Sequence, residues 1–299
     1  MNNFKNLVIL FILAVFLFSC TQEQVAETVV TPESLLISAS ELHELKDSEH
    51  YIIVDMRVSG FDEGHIPGAV WFGGNPALVD TTHEVSDFLI DSATFQEIMQ
   101  VSGINQDSRV IAYDDGNALG AARLFFALEL NGHPYVRILN GGMQAWLAEG
   151  FETTAEAITP ERGNFIARMN DERVCDVTYV IRAIDNENIV ILDARSPEEY
   201  RGEDERAQRS GHIPNAVNLE WRTFVEADGI PFFRSRDEIE AILGDKGITR
   251  DKEIVTHCQT NVRGSHAYFV LRKMGFDQVR TFEGSWAEWG NRADTPIEN

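Results

Sequence analysis

The heptapeptide Gly64-His65-Ile66-Pro67-Gly68-Ala69-Val70 returns in the second half of the chain as Gly211-His212-Ile213-Pro214-Asn215-Ala216-Val217. Three other segments repeat in the same order. Residues 55–57 (Asp-Met-Arg) match 193–195 (Asp-Ala-Arg), residues 110–114 match 254–258, and residues 140–146 match 283–289. Ordered matches at similar offsets indicate an internal duplication at about half the length of the chain.

Both halves show the same local pattern, in which short apolar runs alternate with longer stretches of helical periodicity. The predicted strands are 51–55, 109–113, 135–139, 188–193, 253–257 and 278–282. The predicted helices are 84–101, 119–131, 142–149, 176–185, 236–244 and 264–275. This alternation predicts the α/β class, with one doubly wound parallel sheet flanked by helices in each half.

The N-terminal segment differs from the rest of the chain. The apolar run Leu7–Phe18 is too short to span a bilayer comfortably and suits a signal peptide. It ends at Ser-Cys20, which resembles the lipobox of bacterial lipoproteins. We therefore predict a lipoprotein signal peptide at 1–20, lipidation at Cys20 and a tether at 21–36. Lipidation would hold the protein on a membrane of the bacterial cell envelope, facing the periplasm or the surface. The alternative is an ordinary cleaved signal peptide or an N-terminal anchor helix.

Charge and cysteine content exclude several classes of function. The formal net charge of -23 over 299 residues disfavours nucleic-acid partners, since these require a basic face. The chain has three cysteines, Cys20, Cys175 and Cys258, and lipid on the first would leave no disulfide framework. No cysteine or histidine cluster has metal-ligand spacing, so we expect neither a metal nor another cofactor.

The second half contains a candidate nucleophile, Cys258, directly after the predicted strand 253–257. Ligands of open α/β sheets bind at the carboxyl ends of the strands. Loop N–H groups and a helix N-terminus there would stabilise a thiolate, and Arg263 adds a donor fork for oxyanions. The predicted binding residues of this loop are Gln259, Thr260, Asn261, Val262, Arg263 and Gly264. A buried structural cysteine is the alternative.

These motifs resemble those of the tandem-domain rhodaneses, which are sulfurtransferases of the thiosulfate:cyanide type. The resemblance covers the chain beyond the tether and rests on the repeated His-Ile-Pro motif and on the terminal Gly284-Ser285-Trp286 with Trp289. In that family the first domain is an inactive copy and the second carries the catalytic cysteine. The resemblance therefore implies an inactive domain at 37–151, a linker at 152–172 and a catalytic domain at 173–299.

Comparison of the two halves agrees with this assignment, because Asp114 stands at the position of Cys258 and Leu119 at that of Arg263. The resemblance implies that the Cys258 thiolate takes the outer sulfur of thiosulfate or a similar donor. The resulting persulfide would pass its sulfur to cyanide or a small thiol, as in covalent catalysis. The implied partners are therefore a small-molecule sulfur donor and a thiol or cyanide acceptor.

Two other functions stay open. Cdc25-type phosphatases and arsenate-reducing relatives share the fold but place five residues between cysteine and arginine, where this chain has four. The second alternative is a non-catalytic persulfide carrier or binding module.

Two further arginine positions bear on the choice of donor. In relatives, an arginine at the position of Arg195 lines the substrate pocket; the alternative is an ion pair with Glu198, Glu199 or the acidic residues 203–205. Mercaptopyruvate-type relatives have a second arginine where this chain has Glu199, which disfavours that donor. His65 and His212 recur in both halves and are predicted to maintain the fold.

Overall fold

The structure is a computed structural model that describes residues 35–48 and 50–299. The predicted signal peptide 1–20, with Cys20, and nearly all of the predicted tether 21–36 lie outside the described residues. None of the helices in the described part of the chain is long and apolar enough to cross a membrane.

Strands and helices alternate through both halves. The first half contains β1 (Leu36–Ile37), α1 (Ala39–Leu45), β2 (Tyr51–Asp55), β3 (Ala69–Trp71), α2 (Ser92–Val101), β4 (Arg109–Tyr113), α3 (Leu119–Leu130), β5 (Val136–Leu139) and α4 (Gly142–Ala148). The second half contains β6 (Val174–Cys175), α5 (Val177–Ala183), β7 (Ile189–Asp193), α6 (Pro197–Tyr200), β8 (Val217–Asn218), α7 (Arg236–Asp245), β9 (Glu253–His257), α8 (Val262–Lys273), β10 (Val279–Phe282) and α9 (Ser285–Trp289). Short 3-10 helices lie at Asn75–Leu78, Asp171–Arg173 and Trp221–Phe224.

Each half forms a parallel sheet of five strands. The strand orders are β1-β5-β4-β2-β3 and β6-β10-β9-β7-β8, so the two sheets have the same topology. Their central strands are also in the same register, with Asp55 opposite Tyr113 in one sheet and Asp193 opposite His257 in the other. Helices cover both faces of each sheet, as strands buried on both sides require. The predicted fold class, two doubly wound parallel sheets, is confirmed.

One predicted helix, 84–101, is wrong in its first part. Helix α2 begins only at Ser92, because the Asp91 side chain accepts hydrogen bonds from the N–H groups of Ala93 and Thr94 and so caps the helix there. The preceding residues form a loop. In that loop the N–H of Leu89 donates to the Glu283 side chain in the other half of the chain, at 3.0 Å. This long-range contact cannot be read from local periodicity.

The two domains pack through α3 and α8, the equivalent helices of the duplication. Phe125 lies edge-on to Phe269 with ring centroids 5.0 Å apart, and Phe126 lies edge-on to Tyr268 at 5.3 Å. One apolar cluster therefore runs from the first domain into the second. Much of the predicted linker lies against the first domain, where the N–H of Phe165 donates to the Ile104 carbonyl. The predicted domain boundaries stay predictions.

Candidate active site

Cys258 lies at the carboxyl end of β9, where the chain turns into α8. Its backbone is held by the start of α9: the N–H of Trp286 donates to the Cys258 carbonyl at 2.9 Å, and the Cys258 N–H donates to Ser285 Oγ at 3.3 Å. The N–H of Ala287 likewise donates to the Gln259 carbonyl at 2.9 Å. The Gly-Ser-Trp motif therefore supports the loop. Trp286 and Trp289 themselves are buried in the apolar core of the second domain.

Arg263 points from the first turn of α8 towards both Cys258 and α6. Its Nη2 donates to Glu199 Oε1 at 2.8 Å and its Nη1 donates to Glu199 Oε2, so the ion pair is bidentate. Burial alone would lower the pKa of Arg263, but hydrogen bonding to Glu199 and the neighbouring Cys258 raise it. Glu199, an alternative partner for Arg195 on sequence grounds, thus pairs with the loop arginine. This pair fixes a guanidinium beside the thiol.

The other predicted loop residues take different positions. Asn261 is buried in the left-handed conformation (φ 58°, ψ 8°) directly before α8. Gly264 has no room for a side chain, since a Cβ there would come within 2.3 Å of Asn261 Oδ1. Gln259 turns aside and donates from Nε2 to the Arg206 carbonyl at 3.0 Å. Thr260 and Val262 are half-buried.

The structure places Arg195 in the protein interior. Its side chain is 1% exposed and forms a bidentate ion pair with Asp193 at 2.6–3.0 Å, and its Nη2 also donates to the Gly211 carbonyl at 2.9 Å. Arg57 makes the same contacts with Asp55 and Gly64 in the first domain, where Asp114 stands in place of Cys258. An interaction present in both copies serves the fold. The predicted contact between Arg195 and substrate therefore has no geometric support here.

The repeated histidines also serve the fold. His65 Nδ1 lies 2.9 Å from the Phe61 carbonyl, and His212 Nδ1 lies 2.9 Å from the Tyr200 carbonyl. Each imidazole stacks on the ring of the same residue, with centroids 3.6 and 3.7 Å apart. The predicted structural role of these histidines agrees with this arrangement.

In the first domain the equivalent loop is filled by its own carboxylate. Asp114 follows β4 as Cys258 follows β9, and its oxygens accept from backbone N–H groups at 2.9–3.3 Å; the donors are Gly116, Ala118, Gly120 and Ala121. Burial raises the pKa of Asp114, and these four hydrogen bonds act against that shift. This loop shows that backbone amides at this point of the fold converge on an anionic side chain.

The equivalence of Leu119 with Arg263 is wrong by one residue. Ala118 is the left-handed residue before α3, as Asn261 is before α8, so Gly120 stands where Arg263 stands. The loop of the first domain is thus one residue longer than the loop that carries Cys258. The conclusion that the first domain lacks both functional groups is unchanged, since neither Leu119 nor Gly120 carries a charge.

Cys175 lies apart from this loop, in β6. It lines a cavity of about 740 Å³ between the domains, together with Tyr179 and Arg280, and Cys258 does not line that cavity. Burial raises the pKa of the Cys175 thiol. A thiol kept protonated is a poor nucleophile, which disfavours Cys175 for the reaction.

Comparison with known proteins agrees with this geometry. The model of the rhodanese-like domain matches the chain twice, at residues 38–149 and 176–292. The chain is 34% identical to the thiosulfate sulfurtransferase of Azotobacter vinelandii, over 88% of this chain and 97% of the relative. It is 36% identical to the sulfur carrier protein TtuD of Thermus thermophilus, over 89% and 96%.

Among solved structures, the 3-mercaptopyruvate sulfotransferase SseA of Escherichia coli superposes with a TM-score of 0.77 at 31% identity, covering 86% of this chain and 99% of that one. Two matched domains, full-length relatives and a cysteine at the carboxyl end of the second sheet all agree. The chain belongs to the rhodanese family, and it is a sulfurtransferase built from two rhodanese-like domains.

Proposed function

We propose that this sulfurtransferase carries the transferred sulfur as a persulfide on Cys258. One observation carries the proposal: Cys258 stands at the amino end of α8 beside the Arg263 guanidinium, whereas the matching loop of the first domain holds the Asp114 carboxylate on its amides. Amides that hold a carboxylate in one copy can hold a negatively charged sulfur in the other.

The proposed reaction has two steps. The Cys258 thiolate attacks the outer sulfur of thiosulfate; a new S–S bond forms, and the bond to the inner sulfur breaks. Sulfite leaves with that electron pair, and a persulfide anion remains on Cys258. Cyanide or a thiolate then attacks the terminal sulfur, which restores the Cys258 thiolate. Arg263 and the loop amides stabilise the negative charge in both steps.

Thiosulfate fits the site better than 3-mercaptopyruvate does. The carboxylate of 3-mercaptopyruvate would need a cation beyond Arg263, and the position of the second arginine of mercaptopyruvate-type relatives holds Glu199. The Arg263 guanidinium holds the Glu199 carboxylate in place through hydrogen bonds. Burial favours the neutral acid, but Arg263 lowers the pKa of Glu199, so this side chain stays negatively charged. The carboxylate of 3-mercaptopyruvate would then face a like charge at the position where mercaptopyruvate-type relatives have an arginine. Thiosulfate has no carboxylate that needs a cation at this position.

A second candidate function is sulfur carriage to a protein acceptor, which uses the same persulfide. The observation that favours it is the match to a relative named as a sulfur carrier protein over 89% of this chain. A carrier would form the persulfide at the same rate but would release sulfur to cyanide only slowly.

Mass spectrometry tests the persulfide directly. After exposure to thiosulfate, the peptide that contains Cys258 is expected to gain one sulfur atom, and cyanide or dithiothreitol should remove it. The Cys175→Ala variant is the matched control, because Cys258 is then the one thiol left among residues 35–48 and 50–299. The Cys258 peptide of this variant should gain the same sulfur atom. Sulfur found on Cys175 and none on Cys258 would contradict the proposal.

We also propose that lipid on Cys20 anchors the protein to a membrane of the bacterial cell envelope; the run Leu7–Phe18 followed by Ser19-Cys20 supports this. The Cys20→Ala variant is expected to leave the membrane fraction. A variant that stays in that fraction after a carbonate wash would instead indicate an uncleaved anchor helix. Cys175→Ala serves as the control and should fractionate like the wild type.

A further inference from the structure

A buried chain of polar contacts joins the first domain to the catalytic loop of the second. Arg123, on α3 of the first domain, donates from Nη1 to Glu283 Oε2 at 3.0 Å and from Nη2 to Glu283 Oε1. The same Glu283 Oε2 accepts from Asn261 Nδ2 at 2.6 Å. Arg123, Glu283 and Asn261 are 2%, 6% and 0% exposed. Ion pairs so far from water are screened little by salt.

A second route links Arg123 to the same loop residue. Arg123 Nη1 lies 3.3 Å from Ser265 Oγ, and Ser265 Oγ donates to the Asn261 carbonyl at 2.7 Å. Asn261 is therefore held at both its side chain and its backbone. Because its φ of 58° is one that L-residues rarely adopt, these contacts stabilise a backbone turn that would otherwise be costly. That turn sets the direction of the loop amides between Cys258 and α8.

The matching positions on the other side of the interface carry different residues. By the equivalence of the helices and strands, His266 stands where Arg123 stands, and Asn140 where Glu283 stands. Neither ring nitrogen of His266 has a hydrogen-bond partner among the residues that the structure describes, and the ring packs against Phe233 with centroids 5.2 Å apart. The Asn140 side chain accepts a hydrogen bond from the Phe233 N–H at 3.0 Å, which mirrors the bond from Leu89 to Glu283. Among residues 35–48 and 50–299, the charged contacts therefore occur beside the loop that carries Cys258 and not beside its counterpart in the first domain.

We propose that Arg123 is a positioning residue for the sulfur-transfer reaction, and that the domain without a nucleophile thereby holds the catalytic loop in its active conformation through Glu283 and Asn261. The proposal rests on the proposed function of Cys258. Unpaired, Glu283 would keep a buried charge with no counter-ion and would draw in water or move. Asn261 would lose its fixed partner, and the loop amides would no longer converge on the sulfur.

The Arg123→Gln variant tests the proposal, with Arg272→Gln as the matched control. Arg272 also joins α8 to α3, through an ion pair with Glu129 at 2.8 Å, but it has no contact with Asn261 or Glu283 among the described residues. Both variants should lower the melting temperature. Only Arg123→Gln is expected to lower kcat for thiosulfate:cyanide transfer, by about 10- to 100-fold, since small misplacements of reacting groups have effects of this size. Arg123→Lys should restore part of the loss.

Amide hydrogen exchange separates this inference from the proposed function. In Arg123→Gln, the peptide that spans residues 258–264 should exchange faster than in the wild type, and in Arg272→Gln it should not. Equal kcat and equal exchange in Arg123→Gln and the wild type would overturn the inference and leave the function of Cys258 standing. If the wild type forms no persulfide, the proposed function fails, and the exchange data still decide whether Arg123 holds the loop. Should Arg123→Gln not fold, Arg123→Lys replaces it: lysine keeps the positive charge but not the paired hydrogen bonds to Glu283, so a smaller loss of kcat and a smaller rise in exchange are expected, and wild-type values for both would overturn the inference.

Discussion

The Cys258→Ser variant is expected to lose thiocyanate formation from thiosulfate and cyanide by at least about 10³-fold, because removal of a covalent nucleophile typically has effects of this size or larger. A serine hydroxyl cannot carry the transferred sulfur as a persulfide. The fold should survive, since the change replaces one small side chain at a site that is 1% exposed. A steady-state assay of thiocyanate, together with circular dichroism of the same sample, measures both effects.

Cys175→Ser is the matched control and should keep wild-type kcat and KM. Equal turnover by Cys258→Ser and the wild type would exclude Cys258 as the nucleophile. Absence of thiocyanate from the wild type, combined with a persulfide on Cys258 by mass spectrometry, would favour the sulfur-carrier function over cyanide-dependent transfer.

Much of the fold could be predicted because the duplication shows each pattern twice. The central strands β2, β4, β7 and β9 were predicted within a residue of their observed bounds, since buried parallel strands are continuous apolar runs. The edge strands β1, β3, β6 and β8 have only two to three residues, too few to show any period. The start of α2 was missed because a hydrogen bond to Glu283, far away in sequence, holds the preceding residues in a loop.

The candidate site was predictable where its parts are contiguous in sequence. Cys258 and Arg263 lie in one loop, so the strand before them and the helix after them indicate the chemistry. Arg123 and Glu283 were missed, and Glu199 was considered only as a partner of Arg195, because all three reach the loop from distant segments. One signal was present: the duplication pairs Arg123 with His266 and Glu283 with Asn140, so two complementary charges occur in the chain without counterparts in the other copy. Their contact depends on domain packing, which no local pattern encodes.

The Arg195→Met variant is expected to lower the free energy of unfolding by about 3–5 kcal/mol, the usual cost of leaving one partner of a buried ion pair uncompensated. Asp193 is fully buried and accepts from the Arg195 N–H, Nε and Nη2. Burial opposes its ionisation, but His257 and Arg195 together lower the pKa of Asp193. A carboxyl whose pKa is lower in the folded than in the unfolded protein stabilises the fold at a pH above its ordinary pKa. This contribution to stability is lost as the pH falls towards the lowered pKa. The difference between variant and wild type in urea unfolding should therefore shrink below a pH of about 4.

Arg57→Met, the same change in the first domain, is the control that separates fold from chemistry. Arg57 makes the equivalent ion pair with Asp55 and lies in the domain that has Asp114 in place of Cys258. If Arg195 only supports the fold, both variants should lose similar stability and, at a temperature where both stay folded, keep a KM for thiosulfate within a few-fold of the wild type. A tenfold higher KM in Arg195→Met alone would instead place Arg195 at the substrate, as the resemblance to relatives implied. The buried geometry and its exact repetition of partners in a domain without Cys258 favour the first result.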